Sequence, residues 1–160
     1  MDTMRLTLPI FALLLSSALI CRASGKTCAA PKPAQDAKFH AGQVWQYKVR
    51  PGEEKSFATI LKVESLPNGI IIHIRIDGVH IKNCSGGPEL ETIEHMPFAR
   101  DAIEHSVTKL LKDISRVPDF QAGYDDWRKA CGGVYTISIA EAISVDEATF
   151  NRNLGCTVGQ

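Results

Sequence analysis

His73, Arg75 and Asp77 alternate along Ile70-Ile-Ile-His-Ile-Arg-Ile-Asp77, so in an extended strand they share the face opposite Ile70, Ile72, Ile74 and Ile76. An imidazole, a guanidinium and a carboxylate on one face suit an anionic group: Arg75 and His73 donate, and Asp77 selects the imidazole tautomer. The same pattern also describes a strand face left wet, with ordinary polar pairs across strands. Arg50-Pro51-Gly52-Glu53-Glu54-Lys55 concentrates charge at a turn. It reads either as a docking tip, with Arg50, Glu53 and Glu54 meeting a partner, or as the solvated charge of any exposed turn.

His95, Asp101 and His105 are the raw material of a metal site, because Asp101 and His105 lie four apart on one helical face. No HExxH or paired-histidine spacing accompanies them, and acidic residues at a helix start also favour the macrodipole without any ligand. No cofactor is implied. There is no Gly-x-Ser-x-Gly elbow and no phosphate-binding glycine loop. Trp45, Tyr47, Phe120, Tyr124 and Trp127 could line a cavity for an apolar ligand, although aromatics at such spacings ordinarily pack a core.

The elements that must position these groups follow from residue 39 onward. Val44 to Tyr47 and Phe57 to Glu64 are β-favouring, and Pro51-Gly52 between them is turn chemistry. In the second run Phe57, Thr59, Leu61 and Val63 point one way, with Ala58, Ile60, Lys62 and Glu64 opposite. Pro67-Asn68-Gly69 makes the next turn, the isoleucine run a third strand, and Asp77-Gly78 a hairpin into a short fourth strand from Val79 to Lys82. Asn83 to Glu89 is a loop. Ile103, Val107, Leu110, Leu111 and Ile114 fall at helical spacing and predict a helix over about Phe98 to Asp113.

Asp119 caps a second, short helix whose face carries Phe120, Tyr124, Trp127 and Cys131. Val134 to Ile137 reads as a late strand, and capping boxes at Ser138 and Ser144 offer two starts for a peripheral last helix. The expected fold is α+β: an antiparallel meander of about four strands, then two or three helices packed on one face and a late strand.

The N-terminus explains where such a chain works. Arg5, the apolar run Leu6 to Ile20 and the small residues Ala23, Ser24 and Gly25 are the pattern of a secretory signal peptide. Bulky Ile20 before Cys21 argues against a lipid anchor there. The expected organisation is a signal peptide over 1–25, an arm over 26–38 and one globular domain over 39–160. Removing Asp2, Arg5 and Arg22 from 18 basic and 18 acidic groups leaves 16 and 17. That balance supplies no electrostatic reason to bind nucleic acid or an anionic membrane, and no later run is apolar enough to span one.

Cys28, Cys84, Cys131 and Cys156 remain, an even number that in an exported chain reads as two disulfides. The favoured pairing is Cys28 with Cys156, joining chain ends, and Cys84 with Cys131.

As a set, Val44-Trp45-x-Tyr47-x-x-Arg50-Pro51-Gly52-Glu53, His73-Ile-Arg-Ile-Asp-Gly-Val79, His95-Met-Pro-Phe98, Ser106-Val-Thr-Lys-Leu110, Pro118-Asp-Phe120, Gly123-Tyr124, Trp127 and Tyr135-Thr-Ile-Ser138 resemble a family of small, uncharacterised exported bacterial proteins. The likeness runs over about 39–148. It implies a bacterial, periplasmic or secreted protein with this element order, and it implies no activity. Cysteines are not part of the family pattern.

The expectation is therefore an exported binding or interaction module, inhibitor- or immunity-like, whose partner is another envelope or extracellular protein. A small metal-assisted hydrolase using His95, Asp101 and His105, or a carrier of a small apolar ligand, is the alternative. Oligomeric state is open.

Overall fold

The computed structural model describes residues 28–156. The signal-peptide reading of 1–25, including Cys21, lies outside the described residues. The described chain runs β1 (Lys32–Pro33), β2 (Gln43–Tyr47), β3 (Phe57–Leu66), β4 (Gly69–Ile81), β5 (Leu90–Ala99), α1 (Arg100–Ser106), β6 (Val107–Asp113), α2 (Gln121–Lys129) and α3 (Ile139–Asn153). Six antiparallel strands form one sheet in the order β5-β4-β3-β2-β6, with β1 added beside β3. The class is α+β, with six strands rather than about four.

Three local readings are corrected. Asp77-Gly78 does not turn the chain, and β4 runs through it to Ile81 as a bulge against β5. Gly78 takes φ +76°, and a Cβ there would lie 3.2 Å from Lys55 O and Ser56 Cα, so the glycine serves a bulge and a close approach instead of a hairpin. Lys82 to Glu89 then makes the reversal into β5.

The expected long helix over 98–113 is a seven-residue helix followed by a strand. Ser106 Oγ donates to Ala102 O at 2.6 Å and accepts from Ile139 N at 3.1 Å. Val107 is already extended (φ −74°, ψ 148°), and the β-branched pair Val107-Thr108 continues along the open edge of β2. Leu110 and Leu111 are 39 % and 47 % exposed, so the apparent helical stripe is no buried face. Finally, the segment 134–137 is not a strand: only Tyr135 joins the sheet, through one parallel bridge to Phe98.

The helices divide between the faces instead of sharing one. Ile72, Ile74, Ile76, Met96 and Phe98 pack with Ala102 and Ile103 of α1 and Ile139, Ala142 and Ile143 of α3 in a single core. Far from peripheral, α3 contributes three side chains that are wholly buried. It starts at Ser138 in a full capping box with Glu141. On the opposite face α2 lies over β5 and His73. Asp119 is not the cap expected of it: Phe120 holds the N-cap position without a side-chain cap bond, and Asp119, one residue earlier, accepts from Gln121 N at 3.0 Å.

The disulfides pair differently from expectation: Cys28 with Cys131 and Cys84 with Cys156. Cys28 and Cys156 are therefore not joined to each other. β1 carries the arm along the end of β3, whose Leu66 lines one small cleft with Cys28, Cys131 and Trp127. α3 runs beside the 82–89 loop, where Asn151 Oδ1 accepts from Cys84 N at 3.0 Å and brings Cys156 to Cys84. Among the described residues no helix is long and apolar enough to cross a membrane. Two disulfides fit a chain folded in an oxidising compartment.

Candidate functional site

The charged turn at 50–55 is folded inward. The Arg50 guanidinium donates to Glu53 (Nε to Oε2, 3.0 Å), to Glu147 of α3 (Nη1 to Oε2, 2.6 Å) and to His80 O (3.3 Å). Glu53 is 3 % exposed and also accepts from His80 N at 2.8 Å. Burial pushes its carboxyl up, but Arg50 and the His80 amide outweigh burial and hold it below the usual range. The expected solvated tip is thus an internal tie between the β2–β3 connection, β4 and α3. Only Glu54 of the three named residues is exposed, and it accepts from Gly52 N at 3.0 Å.

That tie forms one wall of a groove. Lys82, Asn83, Glu89, Ser144, Glu147 and Asn151, closed by the Cys84–Cys156 disulfide, line a cleft of about 640 Å³. A neighbouring hollow of about 500 Å³ shares Lys82, Glu89 and Glu147 and is backed by Arg50 and His80. Glu147 is committed, accepting from both Arg50 and Lys82 N (2.8 Å). His80 and Glu89 face each other at 3.4 Å, each about half exposed. The groove therefore presents both signs of charge above a disulfide-fastened floor.

The His73, Arg75 and Asp77 face splits in two. Arg75 and Asp77 satisfy one another at 2.9 Å, and Thr92 Oγ1 donates to Asp77 at 3.0 Å. His73 is completely buried. A bulge between Ile60 and Lys62 puts Lys62 directly across from His73. Glu64 lies on the same face, accepting from Lys62 Nζ at 2.7 Å and from Tyr124 Oη at 2.8 Å. Burial raises the Glu64 carboxyl, while the Lys62 and Tyr124 hydrogen bonds carry it below its ordinary value.

His73 faces Pro97 across the β4–β5 ladder, and His95, two residues earlier in β5, shares that face. His73 Nδ1 and His95 Nε2 are 2.9 Å apart, with ring centroids 5.1 Å apart and planes within 19°. A nitrogen separation that short at that centroid distance means the rings meet nose to nose, sharing one hydrogen bond.

Tyr124 and Trp127 of α2 meet the His73 ring edge-on at 5.3 and 5.0 Å, and Phe120 lies 6.2 Å from His95. Gly123 allows this approach, since a Cβ there would lie 2.9 Å from His95 Cβ. Burial, then the neighbouring His95, lowers His73 to about 4. Burial alone lowers His95 to about 4. Both rings are neutral at pH 7. His73 Nε2 is 3.3 Å from Glu64 Oε2 yet lacks hydrogen-bond geometry, leaving a buried polar atom without a partner.

The expected combination of His95, Asp101 and His105 is not assembled. His95 lies under α2, the Asp101 side chain is 83 % exposed, and His105 Nδ1 donates to Asp101 O at 2.7 Å. Among the described residues no three His, Cys, Asp or Glu side chains form a group able to hold a metal. Sequence reasoning missed the meeting of His73 with His95. The signal was present: His95-Met-Pro-Phe98 sits in a β-favouring stretch, and pairing it beside the isoleucine strand places the two imidazoles on one face.

Fold and sites together define a disulfide-bonded α+β chain with a mixed-charge groove and, apart from it, a largely buried histidine pair. Compared with known proteins, the chain matches no family model, no curated protein and no solved structure.

Proposed function

We propose that the protein is an exported binding module of the bacterial envelope or extracellular space, with another protein as its partner, and that the groove beside Lys82 and Glu89 is where the partner docks. The observation that carries this reading is the groove itself, of about 640 Å³ and continuous with a second hollow. Its walls are held by a disulfide and by the Arg50–Glu147 ion pair. Such rigid concave surfaces cost little ordering on binding. The signal-peptide pattern, the disulfides and the family resemblance of the motifs support the export part of the reading.

The test is capture from envelope extract with the oxidised protein, followed by mass spectrometry of what is retained. The expected outcome is one stoichiometric protein. Exchanging the two rim charges (Lys82→Glu with Glu89→Lys) should abolish capture with the melting temperature nearly unchanged. Capture that survives the exchange overturns the groove, and absence of any stoichiometric partner overturns the binding module.

A further inference from the structure

None of the residues around His73 and His95 lines the groove, and the proposed binding function makes no use of them. We infer that His73 Nδ1 and His95 Nε2 form a two-coordinate site for a soft monovalent cation, copper(I) or silver(I), which replaces the hydrogen bond between the rings.

The donor arrangement selects the ion. Two neutral imidazole nitrogens pointing at one another offer linear coordination, which suits these filled-shell monovalent ions. A structural zinc ion wants four ligands, and no third His, Cys, Asp or Glu completes such a set among the described residues. A single positive charge is also the least costly to take out of water. Lys62 and Glu64 already balance each other at 2.7 Å, so the ion adds one charge to a neutral surround.

Imidazole nitrogen holds first-row ions at about 2 Å, so a linear site needs its donors about 4 Å apart and the pair must open by about 1 Å. The orphaned nitrogen accommodates that movement. The two nitrogens of an imidazole lie on roughly opposite sides of the ring, so moving His73 away from His95 carries Nε2 towards Glu64. The present 3.3 Å separation then closes into the carboxylate hydrogen bond that ordinarily backs a metal-bound histidine. Protons balance without release: His73 keeps its proton on Nε2, and His95 moves its proton from Nε2 to Nδ1.

His95 is half-buried, so the pair is not wholly closed off from solvent. Competing soft ligands are few. All four cysteines of the described chain are in disulfides, and Met96 is buried in the core on the other face.

Silver(I) in chloride-free buffer is the probe, added to the purified, oxidised protein and followed by calorimetry and tryptophan fluorescence. One ion per chain should bind, changing the emission of Trp127. His95→Ala should abolish uptake, Glu64→Gln should weaken it by about tenfold, and the exposed His105→Ala should leave it unchanged. Lack of stoichiometric uptake by the unaltered protein, or uptake that survives His95→Ala, overturns the site. Should the variant fail to fold, nitrogen NMR of the unaltered protein decides. Silver(I) must shift His73 Nδ1 and His95 Nε2 together, and unmoved resonances refute the assignment.

Discussion

On one face of the sheet Ile72, Ile74 and Ile76 meet α1 and α3 through side chains without polar atoms. On the other, His73 sits between Ile72 and Ile74 in the same strand and meets His95, Lys62, Glu64, Tyr124 and Trp127. Both faces are covered, but by different physics. The apolar face is held chiefly by burial, which is insensitive to pH. The polar face is held by groups whose burial costs free energy unless each finds its partner. One of its atoms, His73 Nε2, has not. The first face explains why the chain folds. The second is where a chemical signal can reach it.

The comparison is tested most severely by truncating each face in turn. Ile74→Ala, at a position 1 % exposed, should cost about 4 kcal/mol in chemical denaturation at any pH between neutral and mildly acid. A cost below about 1 kcal/mol would mean the core is not where the stability lies.

Acid should act on the other face. In the ion-free protein His73 titrates near 4 instead of 6.5, so the unfolded chain binds the proton more readily between those values. The stability present above about pH 6.5 is lost as pH falls to about 4, on the order of 3 kcal/mol for this ring. The groups facing it are Lys62, Glu64, His95 and Tyr124, and Glu64 alone favours the charged ring. Urea titrations at pH 7 and pH 4.5, with and without His73→Phe, check this. A pH slope that the substitution leaves intact would place the titration elsewhere.

A smaller effect carries a diagnostic sign. Gly123→Ala sits inside α2, where alanine normally gains about 1 kcal/mol over glycine. Here the new Cβ would press on His95 at 2.9 Å, so the variant should be less stable by about 1 kcal/mol. A melting temperature that rises would show that α2 does not rest on β5. Smallest of all, Arg75→Ala removes a partly buried pair with Asp77, whose side chains are 22 % and 24 % exposed, and should cost about 1 kcal/mol or less. A larger loss would mean that the wet edge of this face contributes more than its exposure suggests.

Much of the fold was legible because local chemistry and tertiary demand agree. The turn at Pro67-Asn68-Gly69, the capping box at Ser138 and the apolar isoleucines of β4 stand where their residue types predict. The 98–113 segment was misread because Ile103, Val107, Leu110 and Leu111 satisfy a helical period that nothing buries. The edge of β2 needed a partner, and backbone pairing prevailed over the side-chain pattern. The site was half legible. His73 stands with Arg75 and Asp77 in the sequence pattern, yet the β4–β5 register sets it beside His95 under α2, while Arg75 and Asp77 pair with each other.

By itself the sequence determined the early strands and their turns, the α+β class and the presence of paired cysteines, since these follow from periodicity, turn residues and count. Only the tertiary structure decided which cysteines meet, which edge β6 completes and which polar groups are sealed in. Those outcomes depend on register. Ala58 and Ile60 face the core while Lys62 and Glu64 face α2 because one extra residue, Leu61, shifts the strand between them. A period of two cannot announce where it will be broken.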